Sequence, residues 1–381
     1  MRRSSIGRVR IRWAAPLVAT ITSVPMAVAV PVAAVTGGAG SAQTRGSAHA
    51  SAPRGALAAR PGNPGGRAPV PAEARAADVS RPNRVIGDGT PASCTSQAVV
   101  RAVAAGGVIV FRCGSRPVTI TMRDTAKVVN ARPDVVLDGG GTVTLSGGGK
   151  RRVLYMNTCD KAQGWTTSHC DDQARPRLTV QNITLADGNA TGLRAEGGGG
   201  GALFVRGGRL KIVNTRFARN RCDATGPDVG GAAVRVLDQY RDQPVFVTGS
   251  TFENGVCSNG GALSSIGVSW VILNSVMTRN KAVGRGANPA RSGTPGGGSG
   301  GAIYTDGNRF SVRIAGSVVE DDSAREGGGA VFFVSNDRTG TLAIEGSRLR
   351  RNRSAGFETK GFPGVFFLGA GRPKVVASTL R

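Results

Sequence analysis

Between residues 178 and 344 large apolar residues recur in pairs two apart: Leu178/Val180, Leu210/Ile212, Val245/Val247, Trp270/Ile272, Val312/Ile314 and Leu342/Ile344. Two is the side-chain period of a strand, so each pair predicts a short strand with these residues inward and the intervening Thr179, Lys211 and Arg313 outward. Two residues beyond each pair stands Asn182, Asn214, Gly249, Asn274, Gly316 or Gly346. These types tolerate left-handed backbone and predict a corner. Next comes a small column, Ile183, Thr215, Ser250, Ser275, Ser317, Ser347 and Ser378. Two residues on lies an apolar one, Leu185, Phe217, Phe252, Met277, Val319, Leu349 and Leu380. Both are expected to face inward.

A third strand follows each GGA, at 200–202, 230–232, 260–262, 300–302 and 328–330, in steps of 30, 30, 40 and 28 residues. Alignment after GGA puts Val205, Arg235, Ser265, Thr305 and Phe333 at one position. An earlier, less regular coil runs through VTITM at 118–122 and VVLDGGGTVTL at 135–145. Three short strands and about 30 residues per coil predict an all-β chain, a single right-handed parallel β-helix over 85–381. Ser96 to Ala105 reads as a short helix with Thr95 or Ser93 as N-cap and Gly106 as stop, placed to cap the open apolar end.

All six cysteines lie in this part, and none forms a C-x-x-C zinc pair. Cys222 and Cys257 each stand five residues after an aligned Phe, so equal register stacks them on adjacent coils, at the Cα separation that a disulfide accepts. Cys94 to Cys113 would tie the helix to the first strand, and Cys159 to Cys170 would close a loop. An even count suits an oxidising compartment.

The formal charge is +25, yet residues 1–84 hold twelve Arg and no Lys against Glu73 and Asp78, and so carry +10 of it. Arg2, Arg3, Arg8, Arg10 and Arg12 precede a stretch without charge from Trp13 to Thr44. That pattern predicts export through a signal peptide ending near Ala48-His49-Ala50, or a signal anchor, over 1–50. Only an uncleaved anchor would give contact with a membrane. Residues 51–84 are Ala, Gly, Pro, Ser and Arg with almost no large apolar side chain, and are expected to be a disordered tether. No polar cap follows Leu380, which leaves end-to-end self-association open.

The GGAL with FARN at 217–220, MTRN at 277–280 and LRRN at 349–352 resembles the GGA[ILV]/FxxN repeat of polymorphic outer-membrane proteins, within the pectate lyase-like right-handed β-helix superfamily. FENG at 252–255 and VEDD at 319–322 depart from it. The run from Gly89 to Gly114 with VVLDGGGTVTLSGGG is similar to the opening of secreted actinobacterial β-helix proteins. The resemblance implies the fold far more sharply than a reaction, because that superfamily holds lyases, hydrolases, adhesins and proteins without known activity.

The chemistry such relatives need is thin here. A polysaccharide lyase on this fold gathers carboxylates around Ca²⁺, but the strands after GGA carry no acidic ladder, so no metal or cofactor is expected. Asp321 and Asp322 are adjacent and read as solvated corner residues. The weak catalytic candidates are Tyr240, His169 and Arg235. For binding, Trp165 and His169 lie in an insertion at 157–176, and Tyr240 with Arg241 in a loop at 237–244, on one edge roughly 10 Å apart by strand spacing. Together these suit a sugar-stacking rim, or else the first is simply a disulfide-stabilised decorative loop. Arg219, Arg279 and Arg351 share an aligned position with Asn254 and Asp321, which suits a polyanion grip or cross-coil ion pairing equally. Expected partners are therefore an extracellular polysaccharide or another polyanion. Nucleic acid is disfavoured, because aromatic platforms for bases are lacking.

Overall fold

In the computed structural model, which describes residues 60–194, 198–287 and 291–381, the inward pairs fall into one register. Leu178 and Val180 pair with Leu210 and Ile212, and the ladder continues through Val247, Ile272 and Ile314 to Ile344. All the sheets are parallel, of ten, nine, eight and four strands. From Arg177 onward the chain visits the ten-, nine- and eight-stranded sheets in turn, adding the four-stranded one from Val256, and then returns to the first. Each visit lays its strand on the previous one, an order compatible with a parallel β-helix.

The corner residues Asn182, Asn214, Gly249, Asn274, Gly316 and Gly346 all have φ between 48° and 59°. That left-handed backbone is why all six are Asn or Gly. Behind the corner the small column forms a hydrogen-bond ladder. The Ser250 hydroxyl accepts from Thr215 N, that of Ser275 from Ser250 N, that of Ser317 from Ser275 N, and that of Ser347 from Ser317 N, at 3.0–3.1 Å. The first three hydroxyls donate in turn to the carbonyl two residues back. Each buried hydroxyl is thus satisfied, which removes the cost of burying it. The apolar column pairs throughout from Leu185 to Leu380, with the rings of Phe217 and Phe252 stacked 4.7 Å apart.

Helix Ser96–Ala105 is capped by the Thr95 hydroxyl, which accepts from Ala98 N, and buries Val99 and Val103 in the main core. The three disulfides are Cys94–Cys113, Cys159–Cys170 and Cys222–Cys257, the last with Cα atoms 4.8 Å apart, one strand spacing. A peptide map of the unreduced protein should yield these three links and no other; a Cys222 or Cys257 peptide bound elsewhere would break the coil register. Such pairing suits an oxidising, extracellular environment. Among the described residues no helix is long and apolar enough to cross a membrane.

Three expectations change. The signal region and residues 51–59 lie outside the described residues, but from Arg60 the supposed tether has a defined course across the ten-stranded sheet. Asn63 N donates to Asn274 O, and the Asn274 carboxamide accepts from Ala68 N and donates to Ala68 O. Further along, Ala77 N donates to the Gln181 side chain. Val70 and Ala74 pack with Phe246, Leu273 and Ala315. Composition missed this because hydrogen bonds to carboxamides far along the chain, with small side chains, hold the segment, without a core of its own.

The second change is a slip of one residue. Arg235 pairs with Phe204 and Ser264, whereas the row through Val205 continues to Val236, Ser265, Thr305 and Phe333. The extra Ala233 makes Gly231, with φ 72°, the counterpart of Gly200; a Cβ there would lie 2.1 Å from Val234 O. Arg235 therefore points out of the core. Third, Asp322 is 1% exposed and stands in the same column as Asn220, Asn280 and Asn352, so only Asp321 is a solvated corner.

Candidate functional site

The strands after GGA read as nearly unbroken apolar runs, and the reason is that the outer face of the eight-stranded sheet is buried too. Tyr155 stacks on Phe204, and Tyr304 on Phe332, which stacks on Phe366. All but Phe366 are at most 1% exposed. Arg235 sits in this outer row between Phe204 and Ser264 and is itself 2% exposed. Alignment after GGA did not reveal this second layer; its signal in the sequence was apolar residues at consecutive positions, as in VFF at 331–333.

Beside this row the face opens into a cleft of about 450 Å³, lined by Arg206, Arg235, Leu237, Asp238, Ile266 and Asp306, with Asp228, Gly307 and Asn336 at its margin. Leu237, Ile266 and Asp306 follow one another on paired strands. Asp306 accepts from Gly307 N at 2.7 Å, from the Asn336 carboxamide at 3.1 Å and from the Tyr304 hydroxyl at 3.3 Å. Arg206 holds Asp171 with two hydrogen bonds, 2.7 and 3.2 Å, and that carboxylate raises its pKa. Arg235 donates to the Ser264 hydroxyl and the Asp228 carbonyl. Burial pushes its pKa down to about 10, so it is still a cation at neutral pH. Asp238 stands at a left-handed corner, φ 56°, and its pKa is raised by burial of the carboxyl and by Asp171.

Of the three catalytic candidates only Arg235 lines this cleft. His169 is exposed on the stapled loop, and Tyr240 is half-buried with the Arg241 guanidinium over its ring at 5.2 Å. The two edge loops lie closer than strand spacing alone suggested, because Arg241 N donates to the Asp172 carboxylate at 2.8 Å. Trp165 is 50% exposed and lines a separate shallow cleft with Asn130, Pro133 and Arg175, a place without Tyr240. Of the arginine column, Arg219 is doubly bonded to Asp187 and Arg351 to Asp321, while Arg279 reaches Asn254 and Glu253. Their positive φ, 54–56°, marks that column as a corner. Cross-coil pairing therefore engages all three guanidiniums.

Among the described residues one group of His, Cys, Asp and Glu is close enough to hold a metal ion, Cys159, Cys170 and Asp171, and both sulfurs are spent in a disulfide. No protein family, curated protein or solved structure matches this chain.

Proposed function

We propose that this chain is an exported, right-handed parallel β-helix that binds an extracellular saccharide in the cleft on its eight-stranded sheet, without turning it over. One observation carries the reading: Leu237 and Ile266 supply an apolar floor within a ring of guanidinium, carboxylate and carboxamide groups. A pyranose has the same two-sided character, with an apolar C–H face and a polar edge of hydroxyls, and convergent polar groups in an apolar pocket are what fix such ligands. The handedness follows the strong right-handed preference of parallel crossovers. Export is supported by the basic and apolar N-terminus with the three disulfides.

A second reading, a glycan-cleaving enzyme, draws on Asp238 with Asp306. Its raised pKa suits a general acid, and Asp306 stands two strands away, a backbone spacing of roughly 10 Å, just beyond the carboxyl separation of an inverting pair. A glycan array with the full chain, run beside a reducing-end and unsaturated-product assay, separates the two. Binding without turnover is expected, and Asn336→Ala, at an exposed margin, should weaken it by about tenfold, the worth of one good hydrogen bond in a cleft. Product formation that disappears in Asp238→Asn would replace the binding reading with the enzymatic one.

A further inference from the structure

On the outer faces of this stack, arginines commonly meet a carboxylate from a neighbouring coil. Arg313 meets Glu345 at 2.6 Å and Arg216 meets Glu253 at 2.8 Å, while Asp134 takes both Arg175 and Arg177, at 2.9 and 3.0 Å. Arg209 and Lys211 break the pattern. Both are half-buried on the outer face of the ten-stranded sheet, two residues apart on strand Arg209–Val213. That puts their Cα atoms about 6.6 Å apart on one face, a span over which two long side chains converge on a single group. On one side Arg209 has Arg177 and Lys211 has Thr179; on the other Lys211 has Phe246, and the same register brings Pro244 beside Arg209. Proline and phenylalanine thus stand where a carboxylate would pair. Among the described residues neither side chain makes a hydrogen bond or comes within 4.0 Å of a carboxylate oxygen. Burial lowers the pKa of Lys211, and the charge that adds to the shift is Arg209, with no carboxylate to offset it.

The two cations open onto a groove of about 330 Å³ between the sheet and the segment that crosses it. Val136, Thr179 and Phe246 continue the row of Lys211 as its floor, and Glu73 and Ala77 line it from the segment. We propose that this groove binds a phosphate group, as the free ion or as a sugar monoester, with its oxygens held by Arg209 and Lys211. The site lies on a different sheet from the saccharide cleft and does not depend on it. Charge selects the class. Two uncompensated cations match a phosphate monoester, which carries nearly two negative charges at neutral pH, whereas a carboxylate carries one. The guanidinium offers a planar fork and the ammonium a point charge, both suited to phosphate oxygens. Like charges held together partly out of water are costly, and such uncompensated groups concentrate at binding sites. Glu73 is exposed and is not among the charges that Lys211 feels, so it does not fill the place itself.

The test is titration calorimetry of the full-length chain at about pH 7.5, where a phosphate monoester has lost its second proton, with inorganic phosphate, glucose 6-phosphate, glucuronate and glucose. Both phosphates should bind, glucuronate about fivefold more weakly for want of one ion pair, and glucose not at all. Arg209→Gln and Lys211→Gln should each weaken phosphate binding by about tenfold, and the double variant should abolish it. Arg348→Gln, at an exposed position on the nine-stranded sheet, should bind like the parent. Lys211→Gln loses a desolvated charge beside a like one, so it should melt no lower than the parent, and phosphate should raise the Tm of the parent but not of the double variant. Tighter binding of glucose 6-phosphate than of phosphate identifies a sugar monoester as the ligand; equal binding identifies the free ion. Glucuronate binding as tightly as glucose 6-phosphate overturns the phosphate preference. A parent that binds neither phosphate, or a double variant that binds like the parent, overturns the site.

Discussion

Phe252→Ala is expected to lower the unfolding free energy by about 3–5 kcal/mol, the range for truncating a fully buried aromatic. Phe252 is 0% exposed, stacks on Phe217 on one side and pairs with Met277 on the other. Alanine there removes a ring from the middle of a column in which each coil packs only on its neighbours, so nothing from elsewhere can fill the space. The stability of stacked repeats is close to a sum of nearest-neighbour terms, and the defect sits at two of those interfaces. Denaturant unfolding should show a lower midpoint, with a reduced slope if the two halves of the stack come apart separately. Val256→Ala, at an exposed strand position, should change stability by no more than about 0.5 kcal/mol. A loss under about 1 kcal/mol at Phe252 would mean that the coils are not held by this column.

How much of this was legible in the sequence depends on which term governs each residue. The inward pairs, corners, small column and cysteine stack were legible because period and spacing alone determine them. The corners show why: six Asn or Gly residues, each two positions beyond its inward pair, all take the same left-handed backbone. Arg235 was misplaced because a single added residue, Ala233, reverses which side of a strand a side chain faces. The cleft was hidden for the same reason, since its members become neighbours only once the register across four strands is right. Asp306 and Asp238 were visible as isolated carboxylates, but nothing local says that they flank one apolar floor.

The segment from Arg60 to Arg84 failed differently. Its composition gives no reason to fold alone, and its order comes from carboxamides such as Asn63, Asn274 and Gln181 that meet only across long sequence distances. The arginine column lies between these cases. Its alignment was legible, but whether it grips a polyanion or its own coils depends on side-chain partners, and Asp187, Asp321 and Glu253 supply them. Exposed pairs of this kind contribute little each, so the column is better regarded as a satisfied corner than as a source of stability.

Asp322→Asn should stabilise the protein by about 1–3 kcal/mol at neutral pH, the cost of a buried polar group left without a partner. In this column Asn220, Asn280 and Asn352 use both ends of the carboxamide. Their oxygens accept from Gly188 N, Gly255 N and Asp322 N, and their Nδ2 groups donate to Leu185 O, Phe252 O and Val319 O. Asp322 keeps only the accepting half, taking Asn280 N at 2.7 Å and Asn280 Nδ2 at 2.9 Å on Oδ1, while the buried Oδ2 has no partner among the described residues. Burial pushes its pKa well up, assisted by Asp321 and Glu320, against the pull of the Asn280 hydrogen bonds. The native state therefore holds a proton that the unfolded chain has released, and the sign of the pH dependence follows. The stabilisation tied to that proton is fully present below the unfolded carboxyl value, near 3.9, and is lost as pH rises through the higher folded value. Chemical unfolding between pH 4 and pH 8 should show the wild type weakening relative to Asp322→Asn as the pH climbs, with the two closest at the acid end. Equal curves across that range would show that Asp322 is charged and compensated in the native state, and would remove it from the carboxamide column.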